Sequence, residues 1–192
     1  VHVSFLLDRS GSMGPLTHDV IGGFNSFIAN QRTGPGKCTF TAAQFDGADP
    51  YEVLYDEVPI EHVEDLDVQR YKPRGTTPLF DALATLINQE QNQGAESRTP
   101  HERIVVIFTD GQENASQTWT RDQVFALIDQ KKAEGWTFVF MGANQNSYAE
   151  GGRLGIYAGN VQNYRGDGQG MREAWGSIDR AVGEYRRSGA QE

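Results

Sequence analysis

Apolar residues fall into two rhythms along this chain, short continuous runs and helical repeats, and the two alternate. Val1–Leu7 (VHVSFLL) is a run of strand length closed by Asp8 and the turn-rich DRSGSMG, which predicts a buried strand ending in a polar loop. Val20, Ile21, Phe24, Phe27 and Ile28 then recur at helical spacing, with Thr17 as a candidate cap and Thr33-Gly34-Pro35-Gly36 as the breaker. Cys38–Phe45 and Tyr51–Val58 read as two strands joined across Asp46-Gly47-Ala48-Asp49-Pro50, a connection short enough to make them an antiparallel hairpin. Leu79, Leu83, Leu86 and Ile87 mark a helix opened by Thr76-Thr77-Pro78, and the polar stretch Gln89–Pro100 reads as loop after its first turns. Arg103–Thr109, with its IVVIF core, predicts a strand covered on both faces and ending at Asp110-Gly111.

Val124, Leu127 and Ile128 support a further helix, and Thr137–Met141 a further buried strand. A short helix over Tyr148–Leu154 and an edge strand over Val161–Tyr164 follow. Met171, Trp175, Ile178, Val182 and Tyr185 give an amphipathic terminal helix whose stripe is expected to pack on the core. The glycine- and asparagine-rich Leu154–Gly170 is expected to be the most mobile segment. Strand and helix in alternation predict an α/β fold, doubly wound, with a mostly parallel sheet, one short antiparallel strand and helices on both faces. Neither repeat nor linker divides residues 1–192, which are expected to form one domain.

Composition narrows the partners. The 192 residues carry 17 Lys+Arg against 26 Asp+Glu, a net charge of -9. Phosphate neutralisation needs clustered cations, so nucleic acid and anionic membranes are not expected partners. No apolar stretch reaches the roughly 20 residues of a membrane span. The lone Cys38 makes no internal disulfide, and no Cys or His cluster has zinc-like spacing. These features favour a cytoplasmic, monomeric protein; the chain opens inside a strand with no signal peptide, although trimming would have removed one.

The candidate chemistry lies where strands end. Asp8 and Asp110 close two buried strands, and in open α/β sheets ligands bind at the carboxyl ends of strands. Ser10 and Ser12 follow Asp8 at two-residue spacing in a sharply turning loop, and Thr77 adds a hydroxyl at a helix start. Carboxylates and hydroxyls without sulfur or imidazole suit a hard cation, Mg²⁺ first, with Mn²⁺ or Ca²⁺ as alternatives. Blander roles stay open: Asp8 as a turn former, Ser10 and Ser12 as caps of the first helix, Thr77 as a plain N-cap.

Three segments in order resemble the von Willebrand factor A (vWA) domain, also called the integrin I domain. Asp8-Arg9-Ser10-Gly11-Ser12 matches its Asp-x-Ser-x-Ser signature, Gly75-Thr76-Thr77-Pro78-Leu79 with Ala82-Leu83 its threonine segment, and Phe108-Thr109-Asp110-Gly111 its third motif. The motif-bearing core is residues 1–145; residues 146–192 supply the last strand region and the terminal helix. The resemblance implies a metal-ion-dependent adhesion site (MIDAS) to which Asp8, Ser10, Ser12, Thr77 and Asp110 contribute directly or through water. Thr77 is preferred to Thr76 for its distance from Ala82-Leu83, leaving Thr76 at the rim. Glu113 and Asn114, soon after Asp110, and Asn144 and Asn146, at another strand end, are further rim candidates. The segment from Phe140 through Gly155 is similar to bacterial vWA proteins more than to integrins.

Two carboxylates offset the charge of a divalent ion and leave it able to accept one more. The resemblance implies that a partner protein's Asp or Glu supplies that ligand, which makes the chain a metal-dependent protein-binding module. It also implies that a shift of the terminal helix is coupled to the metal site, as in integrin-type relatives. Catalysis lacks a base: the nucleophile elbow, the P-loop and the second aspartate of an aspartate-nucleophile phosphatase are all missing, and His2, His18, His62 and His101 are scattered. No enzyme is therefore expected. The alternatives are a metal-dependent hydrolase or enzyme-associated subunit, with Glu113 as a remote base, and a purely structural scaffold.

Overall fold

A computed structural model describes residues 1–96, 102–110, 113–142, 147–156, 160–163, 165 and 167–189. Among these residues six strands form one sheet in the order β3-β2-β1-β4-β5-β6. They are β1 (His2–Asp8), β2 (Thr39–Phe45), β3 (Glu52–Pro59), β4 (Arg103–Thr109), β5 (Thr137–Gly142) and β6 (Val161–Asn163). All neighbours run parallel except β2 and β3, the hairpin expected from its short turn. Central β1 pairs with both β2 and β4, so the order reverses beside it, and that reversal opens a crevice at the carboxyl ends of β1 and β4.

Among the described residues, five helices cover the sheet: α1 (Thr17–Arg32), α2 (Leu79–Glu96), α3 (Arg121–Ala133), α4 (Ser147–Arg153) and α5 (Gly168–Gly189). Side chains alternate across each strand, so β1 sends Val3, Phe5 and Leu7 toward α1 and α5, and Leu6 toward α2. The first face is aromatic: Phe5 lies 4.8 Å from Phe27 and 5.6 Å from Trp175, and Phe108 stacks on Trp175 at 4.9 Å. Gly23 admits that indole, since a Cβ there would meet Trp175 at 2.0 Å. Near its end, α5 inserts Arg186, buried, whose guanidinium donates to the carbonyls of Gln31, Gly34, Pro35 and Gly36. Gln31 also donates to Asp179, at 2.8 Å, so α5 is tied to α1 at two levels.

Two sequence expectations change. The stretch from Gln89 is helix as far as Glu96 rather than loop. Glu90 breaks the apolar rhythm yet is fully buried, held by His2 and Arg103 at the amino ends of β1 and β4. Nor does Thr17 cap α1 as an acceptor: a 3-10 turn over Gly11–Leu16 runs straight into the helix, and the Thr17 hydroxyl donates back to the Gly14 carbonyl at 2.8 Å. The edge strand and the short helix near residue 150 form close to where the spacing puts them. Residues 157–159, 164 and 166 of the glycine-rich stretch lie outside the described residues.

Candidate metal site

Asp8 is the last residue of β1 and Asp110 the first after β4, so adjacent parallel strands deliver two carboxylates to one edge. Asp8 is fully buried. Its Oδ1 accepts the Ser10 N–H at 2.7 Å and its Oδ2 the Thr109 hydroxyl at 2.7 Å. Ser10 and Ser12 then bridge toward Asp110, their Oγ atoms 3.2 Å apart and Ser12 Oγ donating to Asp110 Oδ1 at 2.8 Å. From behind, the buried Tyr71 hydroxyl donates to the Asp8 carbonyl at 2.6 Å. Four of the five predicted ligands therefore form one connected oxygen cluster.

Thr77, nearly buried at 3% exposure, reaches the same edge through its loop. Gly11 N–H donates to the Gly75 carbonyl at 3.1 Å, which seats that loop beside the serines. Asn114 fixes the Thr77 backbone in both senses, its Oδ1 accepting Thr77 N–H at 2.8 Å and its own N–H donating to Thr77 O at 3.1 Å. Thr77 is not the cap of α2. The free N–H groups of that helix go elsewhere, Phe80 to Glu113 Oε2 at 2.9 Å and Asp81 to Ser116 Oγ at 3.0 Å. Ser10, likewise, occupies the cap position of the 3-10 turn without a capping hydrogen bond.

The rim candidates separate. Thr76 is exposed with its hydroxyl against Gly47, where a Cβ would lie 2.0 Å from it. Glu113 is consumed as a brace: besides Phe80 it accepts the N–H groups of Ala115 and Ser116 at 2.8 and 2.6 Å and the Ser116 hydroxyl at 2.7 Å. A carboxylate so engaged is not a poised general base. Asn114 positions Thr77, while Asn144 and Asn146 lie outside the described residues. Sequence reading missed Asp46, a fully buried carboxylate beneath both ligand-bearing loops, because Asp46-Gly47 also reads as an ordinary turn.

Electrostatics favours a cation here. Burial pushes the Asp8 carboxyl up to about 6, with the Asp110 charge adding to the rise and the Ser10 and Thr109 hydrogen bonds opposing it. Burial also raises Asp110, against the pull of the Ser12 hydroxyl. Two carboxylates held in a site that penalises their charge are relieved by a bound positive ion. Among the described residues no three His, Cys, Asp or Glu side chains gather to hold a metal, so the remaining donors would be hydroxyls and water. That donor set fits a hard divalent cation.

The von Willebrand factor type A domain family matches residues 2–164. A comparison with curated proteins finds no match. Among solved structures, the manganese-loaded TRAP protein of Plasmodium vivax is similar at 17% identity and a TM-score of 0.64, over 91% of this chain and 71% of that one. Proximal thread matrix protein 1 of the mussel byssus, in a form with a zinc-occupied MIDAS motif, is 15% identical with a TM-score of 0.65, over 95% of this chain and 45% of its own. A von Willebrand factor type A protein from Catenulispora acidiphila is 16% identical with a TM-score of 0.60, over 93% of this chain and 41% of its own. This chain thus spans less than half the length of two of these three structures. With the family matched over most of its residues, the chain belongs to the von Willebrand factor type A domain family.

Proposed function

We propose that this chain is a divalent-cation-dependent protein-binding module, with Mg²⁺ as the resident ion and an aspartate or glutamate of another protein as the group it captures. The observation that carries this reading is the continuous oxygen cluster from Asp8 through Ser10 and Ser12 to Asp110, at the crevice where the strand order reverses. A bound divalent ion would supply an open coordination position for a carboxylate. Asp8 and Asp110 supply two negative charges, Ser10, Ser12 and Thr77 neutral oxygens, and Thr109 and Tyr71 hold Asp8 in place from behind. Relatives described with manganese or with zinc in a MIDAS support a divalent ion in general.

The net charge of -9 opposes an acidic partner at long range, and physiological salt screens that repulsion beyond about 8 Å. Capture is therefore decided at short range by the ion. Hydrolysis has no support among the described residues, since Glu113 is bound up at the start of α2.

The test has two stages. Calorimetric titration of the chelator-stripped protein with Mg²⁺ and Mn²⁺ is expected to show one site, absent from Asp8→Ala/Asp110→Ala. Peptide-library selection in Mg²⁺ is then expected to enrich Asp- or Glu-containing sequences whose binding vanishes in chelator. Peptides retained equally without the ion would refute a metal-mediated capture.

A further inference from the structure

Two segments carry four of the five candidate ligands, Asp110 standing apart after β4, and no sheet ladder joins one segment to the other. The first spans Asp8–Ser12; the second, residues 72–77, presents Thr77 and turns through Gly75 at a φ of +68°, a conformation suited to glycine. Two backbone hydrogen bonds join them directly, Gly11 N–H to Gly75 O and Arg74 N–H to Arg9 O at 2.8 Å. Such bonds permit sliding unless side chains fix the register.

Asp46, the residue after β2, supplies that fixing. Its Oδ2 accepts from Arg9 Nε at 2.8 Å and from Arg74 Nε at 3.0 Å, so one oxygen grips a side chain from each loop. Its Oδ1 accepts the N–H groups of Ala48 and Asp49 at 2.7 and 2.8 Å, which anchors the carboxylate to the hairpin turn. Arg9 goes on to Glu52 Oε2 of β3 at 2.6 Å, and Gln44 Nε2 reaches the same oxygen at 2.8 Å. Asp46 is fully buried and Arg9 only 4% exposed. Asp46 and Arg9 are the buried centre of this network, in which Arg9 Nη2 and Gln44 Oε1 have no hydrogen-bond partner among the described residues, so removing Asp46 leaves the buried Arg9 charge still less compensated.

We propose that Asp46 is a positioning residue for the metal site: by holding Arg9 and Arg74 on one oxygen, it fixes Thr77 relative to Asp8, Ser10 and Ser12, and so raises cation affinity without touching the cation. The inference rests on the metal-binding reading above. Partners that orient ligands commonly contribute 10- to 100-fold in metal affinity, and ligand geometry must hold to about 0.5 Å for a small hard ion. The Arg at the second position of the Asp-x-Ser-x-Ser segment thereby acquires a role in this chain.

The experiment is a double-mutant cycle read by titration calorimetry with Mg²⁺ and Mn²⁺, using Asp46→Asn, Thr77→Ala and the pair. Asp46→Asn keeps the volume and removes the charge, and it is expected to weaken cation binding about 10- to 100-fold. Because Asp46 acts through Thr77, the double variant is expected to bind no more weakly than Thr77→Ala alone. A role in stability alone would leave the cation affinity of folded Asp46→Asn unchanged, and an effect independent of Thr77 would give losses that multiply; either overturns the proposal. Arg74→Ala guards against misfolding, because its side chain is 53% exposed and only its Nε reaches Asp46. It is expected to weaken the cation several-fold with an unchanged melting temperature in chelator. Multiplicative losses, or unchanged affinity in Arg74→Ala, would overturn the proposal while leaving the metal site standing. A wild-type protein that binds neither ion would remove the site itself and this inference with it.

Discussion

Without a cation, Asp8 is a source of instability. Its carboxyl, pushed up to about 6 from an ordinary value of 3.8, holds a proton more firmly folded than unfolded. Between those values the folded state binds more protons, so this group's contribution to stability falls as pH rises through the window. At 1.36 kcal/mol per unit, the deficit approaches about 3 kcal/mol at neutral pH. Asp8→Asn keeps the shape and an acceptor for the Ser10 N–H, and the Thr109 hydroxyl can rotate to meet the amide. In chelator at pH 7 the variant is therefore expected to be more stable than wild type, by up to about 3 kcal/mol, with the gap closing near pH 4. Urea unfolding at both pH values measures it, and equal stability at pH 7 would show that the buried carboxylate is not penalised. Saturating Mg²⁺ is expected to reverse the order, because only wild type retains both charges. Asp8, Ser10 and Ser12 are legible in the sequence because one short segment carries them all. Asp46 is not, because its role comes from Arg9 and Arg74, 37 and 28 residues away.

Helix ends show where local signals stop sufficing. The start of α2 is visible as Thr76-Thr77-Pro78, yet its donors are satisfied in trans by Glu113 and Ser116, more than thirty residues onward. Asp81 returns the contact by accepting the N–H groups of Gln117 and Trp119 at 2.8 and 2.7 Å. The segment after the β4 edge is thus braced against the helix that follows Thr77, which keeps Asn114 on the Thr77 backbone. Glu113→Ala is expected to cost about 1–2 kcal/mol, the worth of a strong N-cap, and to weaken cation binding through Thr77. Urea unfolding and calorimetry check the two effects, and a loss of stability with unchanged affinity would confine Glu113 to the helix. The far end of α2 was hidden for a different reason. Its last turns are polar, and Glu90 occupies a core position only because His2 and Arg103 await it from strands on either side of the fold's centre line. Periodicity detects apolar faces, so a helix whose buried position is a carboxylate reads as loop.

Across the whole molecule the sheet has two polar ends of opposite character. At the amino ends of β1 and β4, Glu90 meets its own counter-ions. Burial alone would raise its carboxyl, but the His2 hydrogen bond and the charges of His2 and Arg103 outweigh it and hold the group below its ordinary value. That end contributes stability above the unfolded pKa of Glu90 and loses it in acid. At the carboxyl ends, Asp8 and Asp110 are both raised, and a bound cation would compensate them. Cation binding should consequently stabilise the fold in a pH-dependent way, since Asp8 must lose its proton to act as a ligand. At 100 times the dissociation constant an ion adds about 2.7 kcal/mol. At roughly 2–4 °C per kcal/mol for a chain of this size, the melting temperature at pH 7 is expected to rise by about 5–10 °C. The rise should shrink steadily below about pH 6, where protons compete for Asp8 at a fixed Mg²⁺ concentration. Thermal melts at pH 5, 6 and 7, with and without the ion, measure both trends. An equal rise at pH 5 and pH 7 would mean that the ion binds away from Asp8, and the opposite polarity of the two sheet ends would then have no bearing on what the molecule captures.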